Sequence, residues 1–267
     1  MPTTAAKLAT GFDAEIADLM AVASGSVGAS TSSPQVVRER LLESVFLNAV
    51  TALEAFIESL FFKSVTGRVK TGGVKPVMRF RNETVAWQMI LRAPREKYLD
   101  WLPFDSTSKR AQAFLVDGLP FSRLDTRRLL RTGLDETLIV RNMIAHRSEN
   151  VREKFAGSVG GRYTTAGEYL AATSGAGSTC EALLTDFVRI ANGLCADDEA
   201  SVIAFLGDED ALGTGSKVMA GSYRCLGCGT VTVVPANQTR TLSCNVCDRA
   251  CAFCGHRRKD ASFRRIP

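Results

Sequence analysis

From Val36 to Val65 the residues Leu41, Val45, Phe46, Ala49, Leu53, Phe56, Ile57, Leu60 and Phe61 recur at helical spacing. A long helix with so wide an apolar stripe has to be buried against other elements. The rest of the body repeats the pattern. Leu8, Phe12, Ile16 and Leu19 predict a first helix over Thr4 to Val22. Shorter helices are expected around Asn82 to Leu91 and Ser108 to Val116. A clear one is expected from Leu134 to His146, and a last long one from Ser178 to Leu194. Ser24 to Pro34, Ser/Gly-rich, and Thr66 to Pro76, glycine-rich and basic, read as breaks, and Gly157 to Gly161 as a loop. Almost nothing before Gly213 alternates with period two, so the expected fold is an all-α helical bundle.

The C-terminal part is different. Thr214 to Pro267 holds nine Lys/Arg against two Asp, a net +7, which leaves −2 of the chain's +5 for residues 1 to 213. A basic appendage on a near-neutral body suits a polyanion partner such as nucleic acid; a solvated surface explains the charge equally well. Within this tail Thr230 to Val234 and Thr239 to Ser243 read as two short strands around a turn at Pro235 to Gln238. The sequence therefore divides into a helical domain over residues 1–196, a linker over 197–220 and a small β-rich module over 221–267. No uninterrupted apolar run reaches the roughly 18 residues needed to span a bilayer. The first residues, with Asp13, Glu15 and Asp18, do not read as a signal peptide. A cytoplasmic location without membrane attachment is expected. In that compartment cysteines more often bind metal than pair.

The tail cysteines have metal-ligand spacing. Cys225-Leu-Gly-Cys228 and Cys244-Asn-Val-Cys247 flank the expected hairpin, the arrangement of a zinc ribbon with one structural Zn2+ held by four thiolates. In so small a module the metal substitutes for a core. A third pair, Cys251 and Cys254, followed by His256, also fits. Four of these six cysteines are expected to bind the ion. Cys244 and Cys247 are preferred as the second pair, because the strand ending at Ser243 runs directly into them. A closed four-thiolate site leaves no position for water, so this zinc would hold shape rather than do chemistry. Cys180 and Cys195 lie on a helical stripe and read as core.

The chain has two histidines. One, His146, ends the helix Leu138-Ile-Val-Arg-Asn-Met-Ile-Ala-His146. Arg141 lies five residues earlier, roughly 7.5 Å along a helix axis, and Asn142 lies four earlier. These groups suit phosphodiester cleavage in RNA. Imidazole can take the proton of an attacking 2′-hydroxyl or give one to the leaving 5′-oxygen near neutral pH. A guanidinium can neutralise the charge that builds on the phosphoryl oxygens, and an amide can orient the imidazole or hold a non-bridging oxygen. Short Arg–His spacings also arise by chance, as Arg249 and His256 illustrate. A helix-terminal histidine is favourable for its dipole alone.

The setting sets this match apart. Leu134 to Asn150 (LDETLIVRNMIAHRSEN) resembles the signature helix of the HEPN superfamily of ribonucleases, in which an Arg, a polar residue directly after it and a His four to six residues beyond the Arg form the active site. Arg141, Asn142 and His146 match all three parts. Ala49-Val-Thr-Ala-Leu-Glu-Ala-Phe-Ile57 is similar to the long helix against which the signature packs, and Gly167-Glu-Tyr-Leu170 is more loosely similar to some members. The likeness spans about Arg38 to Leu194. It implies a HEPN-like bundle that forms a homodimer, with two Arg/His sets sharing one composite cleft. The implied activity is a metal-independent endoribonuclease of toxin or host-defence type acting on RNA, restrained by an antitoxin or other regulatory protein. Members silenced by a partner nucleotidyltransferase carry a tyrosine two residues after the histidine. Ser148 stands there, so that mode of control is not expected. Glu54 reads either as a further polar group near the expected cleft or, in preference, as solvated surface.

A different class stays open: a non-catalytic HEPN-like protein that dimerises or binds nucleic acid and carries a structural zinc ribbon. Other chemistry finds little footing. Gly175-Ala-Gly177 follows no strand, so it is no dinucleotide loop, and no nucleophile elbow accompanies His146.

Overall fold

In the computed structural model the described residues are 3–28, 35–70, 73–90, 99–125, 127–146, 148–159, 161–174 and 177–206, together with tail segments 212–213, 217–218, 221–225, 231–234, 240–241 and 262–266. The chain divides into two compact units, Met1–Leu206 and Gly207–Pro267.

The first unit is helical. Among the described residues it has nine α-helices: α1 (Ala5–Gly28), α2 (Gln35–Val65), α3 (Glu83–Ile90), α4 (Phe104–Phe114), α5 (Arg128–His146), α6 (Glu149–Ser158), α7 (Ala166–Ala171), α8 (Thr179–Cys195) and α9 (Glu199–Leu206). Strands in this unit are two-residue pairings, such as Thr3–Thr4 beside Val69–Lys70.

Helix α2 is the axis of the unit. Its wide stripe is covered by α1, α3, α5, α7 and α8. Phe46 meets Phe187 of α8, and Phe56 meets Phe12 of α1. Near its C-terminal end Phe61 and Phe62 join Trp101, Phe114 and Phe121 in an aromatic cluster. Each side chain of this size, fully buried, contributes about 1.5–3 kcal/mol, so the cluster anchors the segment before α4 to α2. By length and mean hydropathy α2 could cross a membrane, and 61% of its most apolar window is buried in the fold. Its apolar character matches its place at the centre of the bundle.

Polar groups fix the helix ends. Ser178 and Glu181 form a reciprocal capping box at the start of α8, and Thr165 and Glu168 do the same for α7. At the other end of α8, the Arg123 guanidinium donates to the carbonyls of Gly193, Leu194 and Ala196 at 3.1, 3.1 and 2.9 Å. Burial lowers the pKa of Arg123. Gly167 in α7 lies so close to α2 that an added Cβ would sit 2.7 Å from the Glu39 Cβ. Its amide donates to the buried Glu43 carboxylate at 3.2 Å.

Several boundaries differ from the sequence reading. Helix α1 runs on to Gly28, through residues read as a break, and Ala23 is fully buried there. Helix α5 begins at Arg128 rather than Leu134. Helix α6 occupies 149–158, partly where a loop was expected. The expected linker over 197–220 starts too early, because Glu199–Leu206 folds as α9 onto α8 with Val202 and Leu206 buried.

In the second unit Gly221–Cys225 pairs with Val231–Val234 as an antiparallel hairpin. Ser262–Ile266 lies on its other side, between that strand and Leu212–Gly213. Among the described residues the expected pairing of Thr230–Val234 with Thr239–Ser243 is not formed: Val231–Val234 pairs with Gly221–Cys225, and Arg240–Thr241 pairs with Lys217–Val218.

Candidate active site

Helix α5 carries the Arg–Asn–His set. Its inward stripe is Leu130, Leu134, Thr137 and Val140, all buried, with spacings of three and four that keep one face toward the bundle. The Thr137 hydroxyl bonds the Gly133 carbonyl at 2.8 Å, which removes the penalty of a buried polar atom.

At about 100° per residue, Arg141 falls beside that stripe, whereas Asn142 and His146 turn away from it. Arg141 and Asn142 are half-buried and His146 is exposed. Arg141 Nη1 donates to Asn142 Oδ1 at 3.2 Å, and the guanidinium acts electrostatically on Glu54 of α2. Arg141 and His146 differ by about 140° around the helix. The structure thus brings Arg141 and Asn142 together and places His146 one turn on, at the helix end, without a hydrogen bond or ion pair among the described residues. Helix α6 begins three residues later, its N-cap Ser148 making no side-chain capping bond.

Glu54 departs from the sequence reading. It is half-buried rather than solvated. Burial raises its pKa from the ordinary carboxylate value; Arg141 acts to lower it and Asp100 to raise it. The signal was absent from the local sequence, because the Arg141 charge that acts on Glu54 is 87 residues away along the chain.

The six tail cysteines separate into two cases. Cys225 ends the strand Gly221–Cys225, next to the pair Arg224↔Val231 at the turn-proximal end of the hairpin. Cys228, Cys244, Cys247, Cys251 and Cys254 lie outside the described residues. Phe263 stands opposite Cys225 in the pairing of Ser262–Ile266 with Gly221–Cys225. Both later pairs remain ligand candidates. Cys180 and Cys195 are buried, and burial pushes both thiols up to about 12.

No protein-family model, no curated protein and no solved structure matches this chain.

Proposed function

We propose that the chain is a metal-independent endoribonuclease of HEPN type with a structural zinc ribbon at its C-terminal end. The observation that carries this reading is one helix, α5, offering a half-buried guanidinium already bonded to a neighbouring amide and ending in an exposed imidazole. His146 takes the 2′-hydroxyl proton as that oxygen attacks phosphorus, or donates a proton to the departing 5′-oxygen. Arg141 neutralises the phosphoryl oxygens as charge builds on them. The products are a 2′,3′-cyclic phosphate and a 5′-hydroxyl.

The angular offset between Arg141 and His146 supports a composite site. Side chains about 140° apart on one helix do not readily converge on the same phosphate. Two copies about a two-fold axis let the imidazole of one face the guanidinium of the other. The zinc ribbon, with its basic surroundings, holds a hairpin for RNA or for a regulatory protein. A toxin or host-defence role in the cytoplasm, restrained by an antitoxin-like partner, follows from the same resemblance.

A second reading has an observation in its favour: Arg141 is half-buried and turned to the α2 side, as a structural arginine would be. On that reading the bundle dimerises or binds nucleic acid without cutting it.

The deciding experiment compares the purified protein with His146→Ala on an RNA pool in the presence of a chelator, following cyclic-phosphate ends. The parent should cut and the variant should not, with folding and dimerisation intact. Equal cutting by the two, or none by either, removes the nuclease reading.

A further inference from the structure

Helices α2 and α3 pack on one another and border a cavity of about 280 Å³, lined by Ala55, Glu58, Ser59 and Phe62 of α2 and by Glu83 and Trp87 of α3. The α2 residues recur at spacings of three and four, and the α3 residues are four apart, so each helix turns one face to the cavity. Its size is at the lower end of ligand pockets and suits a single base-sized ring. Trp87 is half-buried and lies nearly parallel to the buried Phe62, with ring centroids 5.9 Å and planes 12° apart. The stack holds the indole in one orientation beside the cavity.

The polar lining is fixed from behind. Trp101, 3% exposed, donates its indole N–H to Glu58 Oε2 at 2.7 Å. Among the described residues Glu58 Oε1 accepts no hydrogen bond, and Oε2 keeps a second lone pair. Glu58 is therefore an oriented carboxylate with acceptor capacity to spare. Cations are already at hand: Lys63 Nζ donates to Ser59 Oγ at 2.6 Å, and Arg68 lies 3.7 Å from Glu83. Lys63 and Arg68 match the two lining carboxylates in number, so a further cation gains little there. A neutral ring with N–H donors gains more, because it can lie against the indole and give its hydrogen bonds to Glu58.

We propose that this cavity takes a guanine base of RNA, stacked on Trp87 and read by Glu58. Guanine is the RNA base whose Watson–Crick edge presents two adjacent donors, N1–H and the N2 amino group, and one carboxylate can accept both. Adenine and cytosine carry an acceptor beside their amino group, and uracil flanks its N–H with two carbonyls. Each would set a lone pair against Glu58, which rejects it. Stacking an unpaired base on an aromatic ring while bonding its Watson–Crick edge is how single-stranded RNA is commonly recognised. The inference rests on the nuclease reading for RNA as the source of the base. It adds base selection to the cutting groups, on a helix that also packs against α5.

The chain has two tryptophans, and both report on the site. Their indole N–H resonances, told apart by the loss of one in Trp87→Phe, are followed by 15N–1H NMR in the full chain. The probes are guanosine 5′-monophosphate and short uridine strands with guanine, adenine, cytosine or uracil at the centre, 2′-O-methylated so that they cannot be cut. The guanine strand should shift both resonances saturably and bind at least about tenfold tighter than the other strands, as one good two-bond base contact allows. In Glu58→Gln the amide oxygen stays on Trp101 and its N–H groups oppose guanine, so the preference should vanish. Trp87→Leu should weaken the guanine strand by about tenfold, the loss of one stacked base. No shift, equal binding of the strands, or a preference that survives Glu58→Gln overturns the proposal. So does guanosine monophosphate binding as tightly as the guanine strand, which would make the site one for free nucleotides. The titration of the parent needs no variant and decides even where a variant does not fold. In a parent that cuts an RNA pool, the cuts should stand at a fixed distance from a guanine, and cuts placed without regard to guanine also overturn the proposal. Absence of cutting by the parent sinks the nuclease reading instead, and the NMR titration still decides what the cavity binds.

Discussion

Arg141 Nη1 donates to the Oδ1 of its neighbour Asn142 at 3.2 Å, so one edge of the guanidinium is tied to its own helix, and among the described residues its side chain makes no other hydrogen bond. A lysine has no second edge. Its ammonium can satisfy either Asn142 or an incoming phosphate with the same few donors, but not with a planar fork. Arg141→Lys is expected to lower RNA cleavage by about 10²-fold, the usual loss when one preorganised donor to a developing oxyanion is removed. Thermal stability should stay within about 0.5 kcal/mol, as for most partly exposed substitutions. A variant that cuts at the parent rate would assign Arg141 a structural role.

Gly193 of α8 faces the Leu206 side chain of α9 so closely that an added Cβ would fall within it. Leu206 is 4% exposed and has little room to swing away. Gly193→Ala is expected to destabilise the helical unit by about 1–3 kcal/mol, an overpacking penalty that outweighs alanine's better helix propensity. Leu206→Ala alone leaves a cavity and should also destabilise. Made together, the two changes relieve each other, so the double-mutant cycle in urea unfolding should show a coupling of at least about 0.5 kcal/mol. Strictly additive losses would mean that α9 is not seated on Gly193.

The helices that were plain in the sequence are those whose burial is written in their own residues. Helices α2 and α8 keep apolar side chains on a broad stripe, and α8 opens with a Ser178/Glu181 box, so both appear close to their expected bounds. Helix α6 had little to show: of its ten residues, Phe155 is the one that is fully buried. Helix α9 follows Asp197 and Asp198, whose acidity read as linker, and its case for folding is Gly193, which admits Leu206. The extension of α1 through a Ser/Gly stretch depends on a contact with Glu181, 157 residues away from Ser24. The candidate site divides in the same way. Arg141, Asn142 and His146 were visible as a local spacing, whereas Glu54 acquires its meaning from α5 and from Asp100.

The contact between α1 and α8 should be sensitive to acid. Glu181 accepts from the Ser24 hydroxyl, from the Ser178 amide at 2.6 Å and from the Ser178 hydroxyl at 3.0 Å. These bonds, that of Ser24 foremost, hold its pKa below the usual carboxylate range. A lowered folded pKa means that the stabilisation is present above the unfolded value, near 4.3, and is lost as pH falls through the folded one. In thermal melts the parent should lose stability on that acid limb faster than Glu181→Gln, which keeps the shape but has no charge to titrate there. Above about pH 6 the parent should be the more stable of the two. Parallel curves over the whole range would show that Glu181 does not carry the linkage.

The chain's eight cysteines should fall into two chemical classes, and the division tests the metal site. Cys180 and Cys195 are buried in α8 with thiols pushed up to about 12, so at neutral pH almost none is thiolate. Because the thiolate is the reactive form, these two should resist Ellman's reagent until the helical unit unfolds. Zinc-bound tail cysteines are deprotonated but shielded, and should react promptly once a strong chelator withdraws the ion. The purified chain is expected to carry one zinc per molecule, and Cys225→Ser, at the end of its strand, should lose it. Helical circular dichroism should survive zinc removal, because the core of Met1–Leu206 is built from its own apolar side chains. A protein that copurifies without zinc would refute the ribbon assignment. Early reaction of Cys180 or Cys195 would contradict their burial instead, because a buried thiol cannot meet a reagent the size of an aromatic disulfide without local opening.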